Sequence, residues 1–154
     1  MQIAARDQLI VALDVPTLDQ ARTLVETLGD AVSFYKVGME LVYGNGFGFI
    51  NELTKAGKKV FLDLKLHDIP NTVQKATEQL AHLGVTFLTV HAYPQTMRAA
   101  KAGSLSSAMR ILGVTVMTSY DDQDLRDAGY DKAVRDVVRL RAEDRKSTRL
   151  NSSH

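Results

Sequence analysis

The most informative stretch of the sequence is Phe61-Leu62-Asp63-Leu64-Lys65-Leu66-His67-Asp68-Ile69-Pro70-Asn71-Thr72, an apolar run that ends in charged residues. Side chains two positions apart on a strand share a face, so Asp63 and Lys65 are predicted to point one way and the intervening leucines the other. Asp68 follows where the strand becomes a loop. Because ionised groups are rarely buried unless paired, acid, base and acid so close together predict an arranged charge cluster.

Outward from this strand, short apolar runs alternate with helical patterns. The predicted strands cover residues 9–14, 32–38, 59–66, 86–91 and 111–119. The predicted helices run from Thr17, as N-cap, to residue 28, from after residue 38 to 55, over 71–83 and over 131–143. Strands separated by helices indicate βαβ units and a parallel sheet, and near-continuous apolar runs are typical of strands covered on both faces.

Polar residues stand at the C-terminal ends of these strands: Asp14, Lys36, Asp63 with Lys65, His91, and Thr118 with Ser119. That edge carries the active site both in α/β barrels and in doubly wound sheets, so the pattern indicates an enzyme. It also weighs against an isolated ion pair that only neutralises itself. Periodicity leaves two folds open: a small doubly wound domain, or the first five units of a (β/α)8 TIM barrel, which needs roughly 250 residues in full.

Composition narrows the function classes. The 154 residues suit one domain, with 45% hydrophobic and 24% charged residues. No apolar run approaches the roughly 20 residues of a membrane span, and residues 1–7 show no secretory pattern, so we expect a cytoplasmic protein. The net charge of +1 comes from scattered basic residues, which predicts no nucleic-acid partner. The absence of cysteine excludes disulfides and thiolate chemistry.

Three further patterns have modest interpretations. The segment Gly44-Asn45-Gly46-Phe47-Gly48 lacks the spacing and context of a dinucleotide loop, so a flexible turn is predicted. His67 and His82 have no partners at metal-ligand spacing, and no metal is predicted. The acids at 121, 122 and 124 predict a solvated helix start. His91 either faces the site or is a packed, hydrogen-bonded histidine.

The pattern Asp63-x-Lys65-x-x-Asp68-Ile69-Pro70-Asn71-Thr72 resembles the signature of the orotidine 5′-phosphate decarboxylase family. Further matches follow in order at the strand ends: Leu13-Asp14, Tyr35-Lys36-Val37-Gly38, Val90-His91-Ala92 and Met117-Thr118-Ser119. The resemblance covers about residues 8 to 143. That family folds as a (β/α)8 barrel and acts as a homodimer, so the resemblance favours the barrel, with residues 1–143 as the N-terminal part of one catalytic domain.

The resemblance implies cofactor-free decarboxylation of orotidine 5′-phosphate to UMP. Lys65 would protonate C6 as carbon dioxide leaves, and Asp63 would lie beside the substrate carboxylate. Lys36 would hydrogen-bond the ribose and brace Asp63, and Asp68 would reach across a homodimer interface into the partner's site. The other implied substrate contacts are Asp14, Leu64, Leu66, His67, Ile69, Pro70, Asn71, Thr72 and Thr118.

The end of the chain departs from the family. Residues 144–154, Asp-Arg-Lys-Ser-Thr-Arg-Leu-Asn-Ser-Ser-His, match one reading frame of a common sequencing-library adapter, so we expect a non-native tail and a longer natural protein. The remaining barrel units would carry a mobile loop and the Arg and Gly groups that grip the phosphate. Without them, we expect the 154-residue chain to be inactive or poorly folded.

Other functions stay open at this point. Metal-dependent sugar-phosphate decarboxylases and synthases share the Asp-x-Lys-x-x-Asp pattern, but they have an acidic magnesium ligand where this chain has Lys36. A non-catalytic fragment that binds a phosphate ester is the second alternative. A response-regulator-like domain is a third, and the long signature fits it poorly.

Overall fold

The computed structural model describes residues 5–147, with side chains described up to residue 144. The strands are β1 (Val11–Ala12), β2 (Phe34–Gly38), β3 (Lys59–Leu66), β4 (Phe87–His91) and β5 (Arg110–Val114). The helices are α1 (Ala5–Gln8), α2 (Leu18–Leu28), α3 (Met39–Leu41), α4 (Phe47–Lys55), α5 (Pro70–Ala81), α6 (Pro94–Ser104), α7 (Asp122–Asp127) and α8 (Val134–Ser147). A 3-10 turn, Gly29–Ala31, precedes β2, and a π-helical segment, Val42–Gly46, joins α3 to α4.

The five strands form one sheet in the order β1-β2-β3-β4-β5, and every neighbouring pair is parallel. In a doubly wound sheet the strand order reverses at a switch point, whereas in a (β/α)8 barrel each strand lies beside the next. The sequential order therefore identifies five consecutive units of a (β/α)8 barrel. The predicted parallel α/β fold is confirmed, and the doubly wound alternative is wrong.

Local sequence signals explain several element boundaries. The Thr17 hydroxyl accepts a hydrogen bond from the Gln20 backbone N–H at 3.2 Å, which confirms the predicted N-cap of α2. Pro70 occupies the first turn of α5, where its missing N–H costs nothing. Asp121 caps α7 through a reciprocal hydrogen-bond pair with Asp124, as expected for the acidic helix start.

Both edge strands are shorter than predicted. β1 has two residues instead of the six expected over 9–14, and β5 ends at Val114 instead of 119. Within residues 5–147 each of these strands pairs on one side only, so fewer ladder hydrogen bonds hold its ends. Leu9 and Ile10 are accordingly exposed.

Two helical predictions were incomplete. α6 was not predicted, because its buried face is made mainly of small residues, including Ala99, Ala100 and Gly103, which give a weak apolar pattern. The helix predicted up to residue 55 is broken at Gly44 and Asn45, so the predicted turn lies inside the helical stretch. α5 ends at Ala81 instead of 83, and α8 begins at Val134 instead of 131.

The two faces of the sheet have different roles. Its outer face packs against the helices through side chains that are at most 1% exposed: Tyr35, Val37, Val60, Leu62, Leu88, Val90 and Ile111. Its inner face carries an aromatic layer formed by Phe34, Phe61 and Phe87. The Phe87 ring centroid lies 5.5 Å from that of Phe34 and 5.9 Å from that of Phe61. Layers of inward-facing side chains are the interior packing of this barrel type.

Among residues 5–147, no helix is long and apolar enough to cross a membrane. α8 continues through residues 144–147, while residues 148–154 of the predicted non-native tail lie outside the described residues. The domain boundary at residue 143 stays a prediction.

Candidate active site

Four charged side chains meet at the C-terminal ends of β1, β2 and β3. We call Asp14, Lys36, Asp63 and Lys65 the charge array. Lys36 Nζ lies 3.2 Å from Asp14 Oδ1 and 3.9 Å from Asp63 Oδ2, and Lys65 Nζ lies 2.8 Å from Asp63 Oδ1. The array therefore alternates in sign along its length. It borders a pocket of about 220 Å³ whose other lining residues include Leu13, Gly38, Met39, Glu40 and Leu41.

Exposure changes along the charge array. The Asp14 side chain is 66% exposed, whereas those of Lys36 and Lys65 are 25% and 28% exposed and that of Asp63 is 16% exposed. The best-buried member is thus the central carboxylate, held between two ammonium groups. Both lysines still reach the pocket, so they can contact a bound molecule as well as Asp63.

A bulge in β3 positions Lys65. Leu62 pairs with Leu88, but the next pair joins Leu66 to Val90, so β3 uses four positions where β4 uses two. Lys65 lies within this bulge in the left-handed region, at φ 48°. That conformation costs a residue with a Cβ about 1–2 kcal/mol. The Lys65 ammonium nevertheless returns to the same side as Asp63, as predicted from the alternation.

The surroundings of Asp63 keep it ionised. Burial is the strongest single effect and by itself would raise the pKa of this carboxyl. Hydrogen bonds from Lys65 and Thr89, with the positive charges of Lys65 and Lys36, outweigh it, so the Asp63 pKa lies below its usual range. The array therefore holds a carboxylate, not a carboxylic acid, at neutral pH.

The aromatic layer lies one level below the charge array. Each of its phenylalanines precedes by two positions, on the same strand face, a polar residue of the site: Lys36, Asp63 or Thr89. The guanidinium of Arg110, the residue that pairs with Phe87 in β5, lies 5.3 Å from the Phe87 ring centroid. The charged groups consequently have an apolar layer on one side, and on the other side they face the pocket at the C-terminal ends of the strands.

The rest of the signature segment, residues 67–72, follows β3 into the start of α5, outside the charge array. Each of these residues is exposed, and Ile69 is 66% exposed. The Asp68 carboxylate accepts a hydrogen bond from the Ile69 backbone N–H at 2.6 Å, and within residues 5–147 it forms no salt bridge. Asn71 and Thr72 stand in the first turn of α5. Leu64 and Leu66 instead direct their side chains into and against the core.

A second cluster surrounds His91 at the ends of β4 and β5. The His67 ring stacks on Tyr93 at 4.6 Å, and the His91 ring lies 5.5 Å from His67. Arg141 of α8 lies over the Tyr93 ring at 4.3 Å and donates to the Tyr130 hydroxyl at 2.9 Å. Burial, together with the positive charges nearby, lowers the His91 pKa. His91 therefore packs against the His67 ring and also lines a pocket, so the structure does not choose between its two interpretations.

Thr118, predicted to contact the substrate, follows β5 in a turn at the same end of the sheet. The adjacent residues 115–117 line a pocket of about 260 Å³ together with members of the His91 cluster. In residues 5–147 no group of three or more His, Cys, Asp or Glu side chains has the arrangement of a metal site.

The sequence interpretation missed Thr89, Tyr93, Tyr130 and Arg141. Thr89 had a usable signal, because it is a polar residue inside the apolar run of β4 and shares a strand face with His91. Tyr130 and Arg141 had none, since they come from a loop and a helix far along the chain from the strand ends they contact.

Fold and site together define the class: a (β/α)8-barrel protein with a charged pocket at the C-terminal edge of its strands. The family model described as "Orotidine 5'-phosphate decarboxylase / HUMPS family" matches residues 7–150, and the chain belongs to this family. The match extends seven residues past the predicted boundary at 143.

Named relatives agree with the family match. The chain is 60% identical over 139 residues to an orotidine 5′-phosphate decarboxylase of Rhodopseudomonas palustris strain BisB5, and 58% identical over 140 residues to that of Methylobacterium nodulans. These alignments cover 90% and 89% of this chain but 59% of each relative. The crystal structure of the Lactobacillus acidophilus orotidine 5′-phosphate decarboxylase matches with a TM-score of 0.85 at 41% identity, over 91% of this chain and 67% of that one.

Proposed function

We propose that the barrel to which this chain contributes five units decarboxylates orotidine 5′-phosphate to UMP, in cytoplasmic pyrimidine biosynthesis. The observation that carries this proposal is the charge array, whose alternating carboxylates and ammonium groups line a pocket at the catalytic edge of the barrel. Membership of the decarboxylase family and 60% identity to a protein of that name support it.

Lys65 is the proposed catalytic acid. Breaking the bond between C6 and the substrate carboxylate releases carbon dioxide and leaves an electron pair on C6. An ammonium group already fixed beside that carbon stabilises the developing negative charge without reorganising during the reaction. Lys65 then transfers a proton to C6, which forms the C–H bond of UMP and leaves a neutral amine. Its hydrogen bond to Asp63 and the β3 bulge support a fixed position for the ammonium group.

Asp63 is the proposed electrostatic partner of the leaving group. An ionised carboxylate repels the substrate carboxylate but not neutral carbon dioxide, so it favours departure. The lowered pKa of Asp63 supports this role because it keeps the group charged. Lys36 braces Asp63 from the opposite side and hydrogen-bonds the ribose. Asp14, exposed at the rim, contacts the ribose or the array.

Asp68 is proposed to complete the site of a second copy in a homodimer. Its support is the exposure of the segment 67–72, with the large apolar side chain of Ile69 turned to solvent. The same segment supplies the other proposed substrate contacts, which are His67, Ile69, Pro70, Asn71 and Thr72. Thr118 adds one from the turn after β5. The side chains of Leu64 and Leu66 pack in and against the core, so these two residues would contact the substrate through their backbone atoms.

Mixed dimers test the Asp68 proposal. Lys65→Ala and Asp68→Ala homodimers should both be inactive, whereas a heterodimer has one site with both substitutions and one with neither, by two-fold symmetry. Random mixing should therefore restore about a quarter of the wild-type activity. As a control, Asp19→Ala, at an exposed position on α2, replaces Asp68→Ala in the mixture with Lys65→Ala. Because Asp19 is not proposed to belong to the site, about half of the wild-type activity should remain. No recovery from a mixture that forms dimers would show that Asp68 acts within its own protomer.

The 154-residue polypeptide by itself is proposed to be inactive or poorly folded. It spans 59% of the length of the named relatives, and within residues 5–147 β1 and β5 are open sheet edges. Open edges favour aggregation, and without the phosphate-gripping groups remote binding energy is lost. Soluble, monodisperse and catalytic material made from these residues alone would contradict the proposal.

The decisive assay follows the absorbance of orotidine 5′-phosphate, without added metal, in the full-length protein and its Lys65→Ala variant. We expect conversion to UMP by the wild type and a fall in kcat/KM of more than about 10³-fold in the variant. Lys55→Ala, at an exposed position on α4, is the matched control and should keep full activity. No conversion by folded full-length protein would reject the proposal, and activity on a sugar phosphate abolished by EDTA would favour the metal-dependent alternative.

A further inference from the structure

Thr89 is a buried polar residue that no assigned role uses. It lies in the middle of β4, on the inward face, with Phe87 one level below and His91 one level above. The residue is only 4% exposed. A hydroxyl this deeply buried needs hydrogen-bond partners, so its contacts show what the position is for.

Both partners of the Thr89 hydroxyl belong to the charge array. Thr89 Oγ1 accepts a hydrogen bond from the Lys65 backbone N–H at 2.9 Å and donates one to Asp63 Oδ1 at 2.8 Å. Asp63 Oδ1 also accepts from Lys65 Nζ at 2.8 Å. The three residues thus form a closed ring of hydrogen bonds that runs from the Lys65 backbone to the Lys65 ammonium group.

The hydrogen bond from the Lys65 backbone N–H to the Thr89 hydroxyl lies at an irregular point of the sheet. At the β3 bulge the regular ladder between β3 and β4 is interrupted, so the Lys65 N–H has no strand partner in register. The Thr89 hydroxyl takes the place of the missing carbonyl. The left-handed conformation of Lys65, at φ 48°, is held by this bond on one side and by the ammonium–carboxylate contact on the other.

We propose that Thr89 is a positioning residue that fixes the Lys65 ammonium group and the Asp63 carboxylate relative to each other through this ring. It does not touch the reacting atoms; it acts by holding the bulged backbone of Lys65 and one oxygen of Asp63. The inference rests on the proposed decarboxylation, because Thr89 would affect the rate through the proton transfer and charge stabilisation by Lys65.

Two pairs of substitutions separate positioning from packing. Thr89→Val keeps the shape of the side chain but removes the hydroxyl, whereas Thr89→Ser keeps the hydroxyl but removes the methyl group. A packing role predicts that valine is tolerated and serine is not; positioning predicts the reverse. Thr89→Ala and Thr89→Ser both lack the methyl group and differ only in the hydroxyl, so they give the same comparison if the valine variant does not fold.

The experiment measures kcat, KM and the pH profile of full-length wild type and variants. Because a small displacement of a catalytic group can lower the rate by up to about 10²-fold, kcat of Thr89→Val should fall about 10- to 100-fold, with KM within about threefold of wild type. Thr89→Ser should keep kcat within about threefold. The acid limb of the kcat/KM profile should move to higher pH in Thr89→Val, because a hydrogen bond to ionised Asp63 is lost, and stay in place in Thr89→Ser.

The outcomes distinguish this inference from the proposed function. If wild type does not decarboxylate orotidine 5′-phosphate, the proposed function fails first. If wild type is active, full kcat in folded Thr89→Val, or equal losses in Thr89→Ser and Thr89→Ala, would overturn the positioning role. Loss in the valine and alanine variants with retention in the serine variant is the result that the hydrogen-bond ring requires.

Discussion

The close approach of α5 and α6 makes Gly103 sensitive to a single methyl group. A Cβ added at Gly103 would lie 2.4 Å from the Gln74 carbonyl oxygen, 2.8 Å from Thr77 Cβ and 3.2 Å from the Glu78 backbone nitrogen. Two of these atoms belong to the α5 backbone, so the helices must separate to admit it. Overpacking of this kind costs about 1–3 kcal/mol. The helix propensity of alanine over glycine returns up to about 1 kcal/mol. Gly103→Ala should therefore destabilise the fold by about 0–3 kcal/mol in total, and by about 1–3 kcal/mol relative to the same substitution in a helix without close neighbours.

Gly48 offers the matched control, because it receives the same substitution in a helix without the neighbours. It is exposed in the first turn of α4, and an added Cβ would have nothing within 4 Å. Gly48→Ala should be neutral or stabilise by up to about 1 kcal/mol. Urea unfolding of the full-length protein, with equal m-values in both variants, gives the two changes in free energy. A Gly103→Ala variant as stable as Gly48→Ala would refute the argument from helix packing.

Two further predictions concern ionisable groups. Lys58 Nζ donates to the carbonyl oxygens of Gly29 at 2.7 Å and Val32 at 2.9 Å, so Lys58→Met should lower the free energy of unfolding by about 1–2 kcal/mol, while Lys55→Met has little effect in the same urea titration. An equal response to the two substitutions would contradict this capping role. The folded-state pKa of Asp63 lies below its unfolded value of about 3.9, so its stabilisation is present above that pH and is lost as the pH falls through the folded pKa. The stability of Asp63→Asn should therefore fall less steeply than that of wild type below about pH 4, and equal acid slopes would show that Asp63 gains nothing on folding.

Strong local patterns predicted the central elements well. The bounds of β3 were predicted as they occur, because an alternating strand in the middle of the sheet has both its faces and its neighbours defined by the sequence. Thr17 was recognised as a cap because that interaction is local. α6 escaped prediction because helix burial through alanine and glycine depends on the neighbouring helix, which a one-dimensional pattern does not contain.

The site was predictable in its composition but not in its connections. Alternation along β3 placed Asp63 and Lys65 on one side, and the common edge of parallel strands brought Lys36 and Asp14 to them. The bulge was not predictable, because it is a relation between β3 and β4 and not a property of either strand. Without the bulge there was no reason to connect the Lys65 backbone with Thr89, and the hydrogen-bond ring remained hidden.

Because of the aromatic layer, the charge array lies between two media of different dielectric constant. The phenyl rings below the charges polarise little, whereas the pocket above them is open to water. Water therefore screens the electric field of the charges on the pocket side, and the phenyl rings screen it very little on the other side. A ligand that covers the mouth removes the screening side. By Coulomb's law, the interaction between the fixed charges and a ligand in that position is stronger than it would be across water. Because the phenyl rings screen so little, the strength of the electrostatic interactions of the charge array depends on whether water or a ligand fills the pocket.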